Sequence, residues 1–148
     1  MYTLRPVTMH DALELLQWKN DSVTRANAIV TSGIIYWSDH LAWLEKRLAK
    51  PGFYLICEGD AKCGWIRFDI ADEIEVAIVL DPKYRGKKVA SQILGVACSL
   101  VQDRYRKPLF AKIVDGNTAS YTVFVKAGFK PDGHRTEYDK GYTILRRA

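Results

Sequence analysis

The stretch Ile78-Val79-Leu80-Asp81-Pro82-Lys83-Tyr84-Arg85-Gly86-Lys87-Lys88-Val89-Ala90-Ser91-Gln92-Ile93-Leu94 decides how the rest of the chain is read. An apolar run, Ile74, Val76, Ala77, Ile78, Val79 and Leu80, stops at Asp81-Pro82. A short basic loop with one glycine follows, and then Val89, Ile93, Ala97, Leu100 and Val101 recur at helical spacing. This is strand, loop, helix. The helix opens inside Arg85 to Ala90, so its first N–H groups lack helical partners and point back into the loop. The positive end of the helix dipole falls at the same place, which suits an anion. Arg85, Lys87 and Lys88 add full charge there, and a phosphate or pyrophosphate is the expected ligand. The alternative is an ordinary strand-to-helix connection with solvated lysines.

Outward from this unit, Tyr2 to Arg5 reads as a strand ended by Pro6. Asp11 to Lys19 carries Leu13, Leu15, Leu16 and Trp18 in a helical stripe, and a second short helix runs from Asp21 toward Ala28. Ser38 is the expected N-cap of a helix bearing Leu41, Leu44 and Leu48, with Trp43 beside them, which Pro51-Gly52 stops. Phe53 to Cys57 and Cys63 to Asp69 form a hairpin across Gly59-Asp60. Ala71 to Glu73 turns into the Ile74–Leu80 strand. After the long helix, Leu109 to Val114 is a strand and Asn117 to Ala127 a helix closed by Gly128. From Phe129 on, two strands flank Asp139-Lys140-Gly141. A meander joined to a strand-helix-strand crossover predicts an α/β (α+β) domain. Its sheet is mixed and mostly antiparallel, with helices on both faces.

The 148 residues suffice for a single domain, 1–148, and 48% of them are apolar. The net charge of +5 is spread along the chain apart from the 83–88 loop and the last residues, so nucleic acid is not indicated and a polyanionic small molecule fits equally well. Cys57, Cys63 and Cys98 show no metal spacing, so no metal is expected. Cys57 and Cys63 could face each other across the hairpin, or stand as two half-buried thiols. The odd count and the lack of a signal peptide favour a reducing cytoplasm. No apolar run approaches a membrane span.

The loop lacks the P-loop and dinucleotide glycine patterns. It resembles the acetyl-CoA loop of the GNAT superfamily of N-acetyltransferases, whose pattern is Arg/Gln-x-x-Gly-x-Gly/Ala. Arg85 takes the first position and Ala90 the last, while Lys88 stands at the middle glycine. Because a helix first turn needs no positive φ, Lys88 is expected to leave the loop intact. A second segment, Ala111 to Ser120 ending at Lys126-Ala127-Gly128-Phe129, is similar to the family's closing motif. The order of elements matches the acyl-CoA N-acyltransferase fold over essentially the whole chain.

This resemblance implies acetyl-CoA as co-substrate. Arg85, Gly86, Lys87, Lys88, Val89, Ala90 and Ser91 would hold its pyrophosphate. Ile78, Val79 and Leu80 would offer backbone groups to its pantetheine arm where strand pairing opens, with Asn117, Phe124 and Lys126 alongside. The family's tyrosine, which protonates the departing thiolate, is Phe124 here and has no proton to give. Tyr121, one turn earlier, is the substitute candidate, and a water or no acid at all are the alternatives. Glu75, a carboxylate inside an apolar strand, and His40 are the candidates to take the amine's proton.

A narrower resemblance rests on Trp18-Lys19-Asn20-Asp21, on Trp37-Ser38-Asp39-His40 with Trp43, and on Gly64 to Asp69. These pieces are similar to the N-acetyltransferases of nucleotide-linked amino sugars, such as those of the pseudaminic-acid pathway. A UDP-linked amino sugar would then be the acceptor amine. Trp18 would meet its planar parts, Asn20, His40 and Asp69 its hydroxyls, and Arg67 its phosphates. Trp18 as core, and Arg67–Asp69 as a surface ion pair, are the alternatives. A protein N-terminus is the other acceptor considered, and a CoA-binding module without catalysis is the other class.

Overall fold

The computed structural model describes residues 1–29 and 33–148. Among the described residues, seven strands and five α-helices follow one another in chain order. Strand β1 (Tyr2–Pro6) leads through a 3-10 turn into α1 (Ala12–Asn20) and α2 (Ser22–Ala26). Helix α3 (Trp37–Leu48) precedes a meander of β2 (Phe53–Glu58), β3 (Ala61–Asp69) and β4 (Ile74–Leu80). Helix α4 (Val89–Tyr105), β5 (Leu109–Val114), α5 (Thr118–Lys126), β6 (Lys130–Glu137) and β7 (Lys140–Arg147) complete it. One seven-stranded sheet results, in the order β1-β2-β3-β4-β5-β7-β6. Its one parallel pair is β4–β5, as the α4 crossover requires.

Each face of the sheet has its own core. On one, Val89, Ile93, Leu94, Ala97 and Cys98 of α4 and Phe124 of α5 cover Ile66, Phe68, Ile74, Val76, Leu109 and Ala111. On the other, Ala12, Leu15 and Trp18 of α1 and Leu44 of α3 cover Phe53, Leu55, Cys57 and Trp65. Strand periodicity then fixes every remaining position. Glu75, Ala77 and Val79 of β4 and Lys112 of β5 face the α1/α3 side. Ile78 and Leu80 face α4 and α5.

Most expected elements lie within a residue or two of their observed bounds, and three details differ. Helix α3 opens at Trp37 with Tyr36 as its N-cap residue in extended backbone, so Ser38 lies inside the first turn and caps nothing. Cys57 and Cys63 do not face each other. They sit buried in the two different cores, and all three cysteines are free. The third difference, at Lys88, belongs to the site.

The sheet opens beside β4. Strands β4 and β5 pair only at Ile74–Leu109 and Glu75–Phe110, and beyond these rungs they diverge. Gly64 lets β3 follow the departing end of β4, since a Cβ there would collide with the Val79 carbonyl oxygen. A slot therefore opens between the C-terminal halves of two parallel strands. Such ends are where open α/β sheets bind ligands.

Candidate active site

One side of the site is the turn after β4. Asp81 anchors it, accepting from the Lys83 N–H and from Trp18 Nε1, both at 2.8 Å. A 3-10 turn over Pro82–Tyr84 follows, and then two left-handed residues, Gly86 at φ +74° and Lys88 at φ +63°. This corrects the expectation for Lys88. The position before α4 does require left-handed backbone, which is why glycine suits it, and lysine holds it here at a cost of about 1–2 kcal/mol. Alternating hands of this kind turn successive N–H groups into one concavity, which favours anions. Nothing lies within 4 Å of where a Gly86 Cβ would point, so the loop is open on that side. Lys87 and Lys88 are exposed, as is Ser91, while Val89 is buried and Ala90 half-buried.

Arg85 does not reach into this concavity. Its Nη2 donates to Asp21 Oδ2 at 2.7 Å and to Thr24 Oγ1 at 3.2 Å, so it ties the loop to the start of α2. Burial alone would raise the Asp21 carboxyl pKa. The bonds from Arg85 and the Thr24 N–H outweigh it and hold the carboxyl below its ordinary value.

The slot itself is lined on its β4 side by Ile78, Val79 and Leu80, all half-buried and without a β5 partner. Across it, Asn117 caps α5, its side chain accepting from the Ser120 N–H. Tyr121 is 36% exposed and lines a cavity of about 210 Å³ together with Asn117, Thr118 and Thr143. Phe124 is 1% exposed and packs edge-on against Phe129 at 5.0 Å, so it serves the core. Lys126 is exposed in the last turn of α5. The residues present fit an extended ligand with a pyrophosphate and a narrow apolar arm.

On the α1/α3 face, Glu75 stands at the last rung before the strands part. Burial pushes its carboxyl above the usual carboxylate value. Lys112 opposes the shift, Asp69 adds to it, and smaller effects come from Arg67 and Glu137. Lys112 lies two residues along β5 on the same face, a diagonal neighbour of Glu75. Beyond it, buried Tyr142 donates its hydroxyl to Glu137 at 2.8 Å. Arg67 gives Nε to Asp69 at 3.2 Å, the ion pair that was the alternative for these two. Its terminal nitrogens make no hydrogen bond among the described residues, and it lies over Trp65 and Trp43, 5.1 and 5.9 Å from their ring centres. Asp69 is shared with Arg47.

Three expected substrate contacts are occupied elsewhere. Trp18 is 3% exposed and bonds Asp81. Asn20 uses both ends of its amide on the backbone of Ile35, at 2.9 and 2.7 Å, and so straps that segment to the end of α1. His40 is 1% exposed and its Nε2 lies 2.8 Å from the Ala12 carbonyl, so Nε2 carries the hydrogen and donates. Burial lowers the His40 pKa, which keeps the ring neutral and makes it a brace between α3 and α1 rather than a base. Lys19, by contrast, was not singled out. It stands one turn after Leu15 on the buried stripe of α1, a place where a lysine is itself a signal.

A larger depression of about 510 Å³ lies around Lys130, Asp132 and Arg146, but Arg146 is already paired with Asp132 and Glu73 there. Among the described residues no cluster could hold a metal ion, and no helix is long and apolar enough to cross a membrane.

The domain model described as acetyltransferase (GNAT) matches residues 2–130. Among curated proteins, none matches the sequence. Among solved structures, an N-acetyltransferase from Staphylococcus aureus Mu50 superposes with a TM-score of 0.83 at 22% identity, covering 99% of this chain and 97% of the other. A spermidine N-acetyltransferase from Vibrio cholerae, in complex with CoA and spermine, gives 0.84 at 13% identity, with 98% and 94% covered. A Salmonella typhimurium structure with its cofactor acetyl-CoA gives 0.80 at 19% identity, with 98% and 92% covered.

Proposed function

The chain belongs to the GNAT acetyltransferase family, and from that premise we propose that it acetylates the primary amine of a nucleotide-linked amino sugar. That it is an N-acetyltransferase drawing on acetyl-CoA follows from the family itself. On this reading one domain, 1–148, carries both halves of the site, and the three free, buried thiols suit a reducing cytoplasm.

Acetyl-CoA supplies an activated thioester, which only a neutral amine attacks. The N–H groups from Gly86 to Ser91 hold the pyrophosphate, with Lys87 and Lys88 adding charge around it. The unpaired edge at Ile78, Val79 and Leu80 takes up the pantetheine arm, and Asn117 meets it from α5. Glu75 accepts the amine's proton, for it stands where the strands part and burial makes its carboxylate a stronger base. Tyr121 delivers a proton to the departing thiolate in place of Phe124, whose ring is locked into the core.

The observation that carries the acceptor reading is Arg67. A half-buried guanidinium with free terminal nitrogens, set against two tryptophan rings, offers a planar fork to phosphate oxygens. Trp43 and Asp69 remain beside it, whereas Trp18, Asn20 and His40 leave the substrate list. Arg67→Lys tests this. With a UDP-linked amino sugar as acceptor, KM for the acceptor rises and KM for acetyl-CoA stays nearly unchanged. An unchanged acceptor KM removes the reading.

A further inference from the structure

Lys19 and Arg67 share one aromatic ring. The Lys19 ammonium stands 3.0 Å from the centre of the Trp43 ring, and the Arg67 guanidinium lies 5.9 Å from it. Cations over a ring face are attracted to it, but two of them beside one ring repel each other. No carboxylate offsets this at Lys19. It makes no hydrogen bond or ion pair among the described residues, and burial and Arg67 are what perturb it. Asp69 is divided between Arg67 Nε and Arg47 Nε, at 3.2 and 3.3 Å. Glu75 faces Lys112 more strongly than Arg67. Two cations thus meet in a partly buried corner with half a counter-ion between them.

We infer that this corner is an anion subsite for the acceptor, in which Lys19 and Arg67 grip a phosphate or carboxylate from two sides against Trp43. The inference rests on the acceptor reading carried by Arg67 and adds Lys19 to it. Burial and the Arg67 charge hold the free Lys19 ammonium pKa down to about 7. The titratable and charged groups facing Lys19 are Arg67 on β3 and His40 on α3. His40 is neutral and fixed on Ala12, so it does not supply the missing charge. An arriving anion restores the proton to Lys19. By linkage, binding is tight below about pH 7 and weakens as pH rises through it, about tenfold by pH 8.

The test follows the Lys19 side chain by NMR while UDP-glucose, glucuronate or uridine is added. UDP-glucose has fixed charge in this range and carries no amine. A rise of the Lys19 pKa with UDP-glucose alone identifies phosphate as the ligand, and a rise with glucuronate alone identifies carboxylate. The UDP-glucose Kd weakens about tenfold from pH 6 to pH 8 in the wild type. Lys19→Met loses that dependence. Arg67→Met, a second variant, raises the pKa of free Lys19 and reduces the effect of anions. No rise with either anion, an equal rise with uridine, or a persisting tenfold dependence in Lys19→Met overturns the inference. None of these readouts needs acetyl transfer, so they fail independently of the Arg67→Lys kinetics.

Discussion

The two sides of this site are made of different material. From Leu80 to Ser91 the structure presents backbone, namely an unpaired strand edge, a pair of left-handed residues and the open end of α4. From α1 to α3 it presents side chains, and most of the promising ones are engaged with the protein itself. Trp18 holds Asp81, Asn20 holds Ile35, and His40 holds Ala12. Even Arg85 spends its charge on Asp21. A backbone site depends on dihedral angles and tolerates a lysine at a left-handed position that suits glycine. A side-chain site depends on which neighbours claim each group first.

The comparison is broken most sharply at Gly86. Proline cannot adopt φ +74°, and it removes an N–H, so Gly86→Pro is expected to abolish the rise in melting temperature that acetyl-CoA confers. A wild-type shift in this variant would mean that side chains hold the pyrophosphate after all.

Next in size is Glu75→Gln, which should lower kcat about 10²–10⁴-fold near neutral pH, the usual range for a lost general base. In the wild type, kcat/KM rises with pH through a pKa above the ordinary carboxylate value, because burial disfavours the charged form. The variant lacks that limb, and its deficit shrinks at high pH as the acceptor amine becomes neutral unaided. A constant deficit at every pH would make Glu75 a scaffold. Tyr121→Phe should cost about 10²-fold in kcat, toward the lower end of the range for a general acid. A loss of less than a few-fold would leave the thiolate to a water.

The smallest effect sharpens the comparison from the stability side. Lys88→Gly relieves left-handed strain but loosens the unfolded chain, for a net gain of about 0.5–1 kcal/mol by denaturant titration. Acetyl-CoA affinity should hold or improve. A destabilised Lys88→Gly would show that the lysine side chain does more than tolerate its backbone.

The sequence makes the backbone side legible because strand, turn and helix signals are local. The run Ile74–Leu80, the Asp81-Pro82 stop and the period from Val89 locate the loop, and the Asn117 cap and Gly128 stop locate α5. The left-handed angle at Lys88 escapes such reading, because lysine seldom takes it. Partners at long range escape as well. Nothing near Trp18 announces Asp81, 63 residues away, and nothing near His40 announces the Ala12 carbonyl. The split of β4 from β5 was implied by the family resemblance, whereas the crowding of Lys19 and Arg67 on Trp43 exists only once α1, α3 and β3 have met.

The acceptor is tested most directly by comparing kcat/KM for a UDP-linked 4-amino sugar, the same sugar without its nucleotide, spermidine, and short peptides with free N-termini, each with acetyl-CoA. Contacts to the remote nucleotide should make the linked sugar the best of the four. A peptide or spermidine acetylated more efficiently than every nucleotide sugar tried would contradict the assignment and leave the cofactor side standing alone.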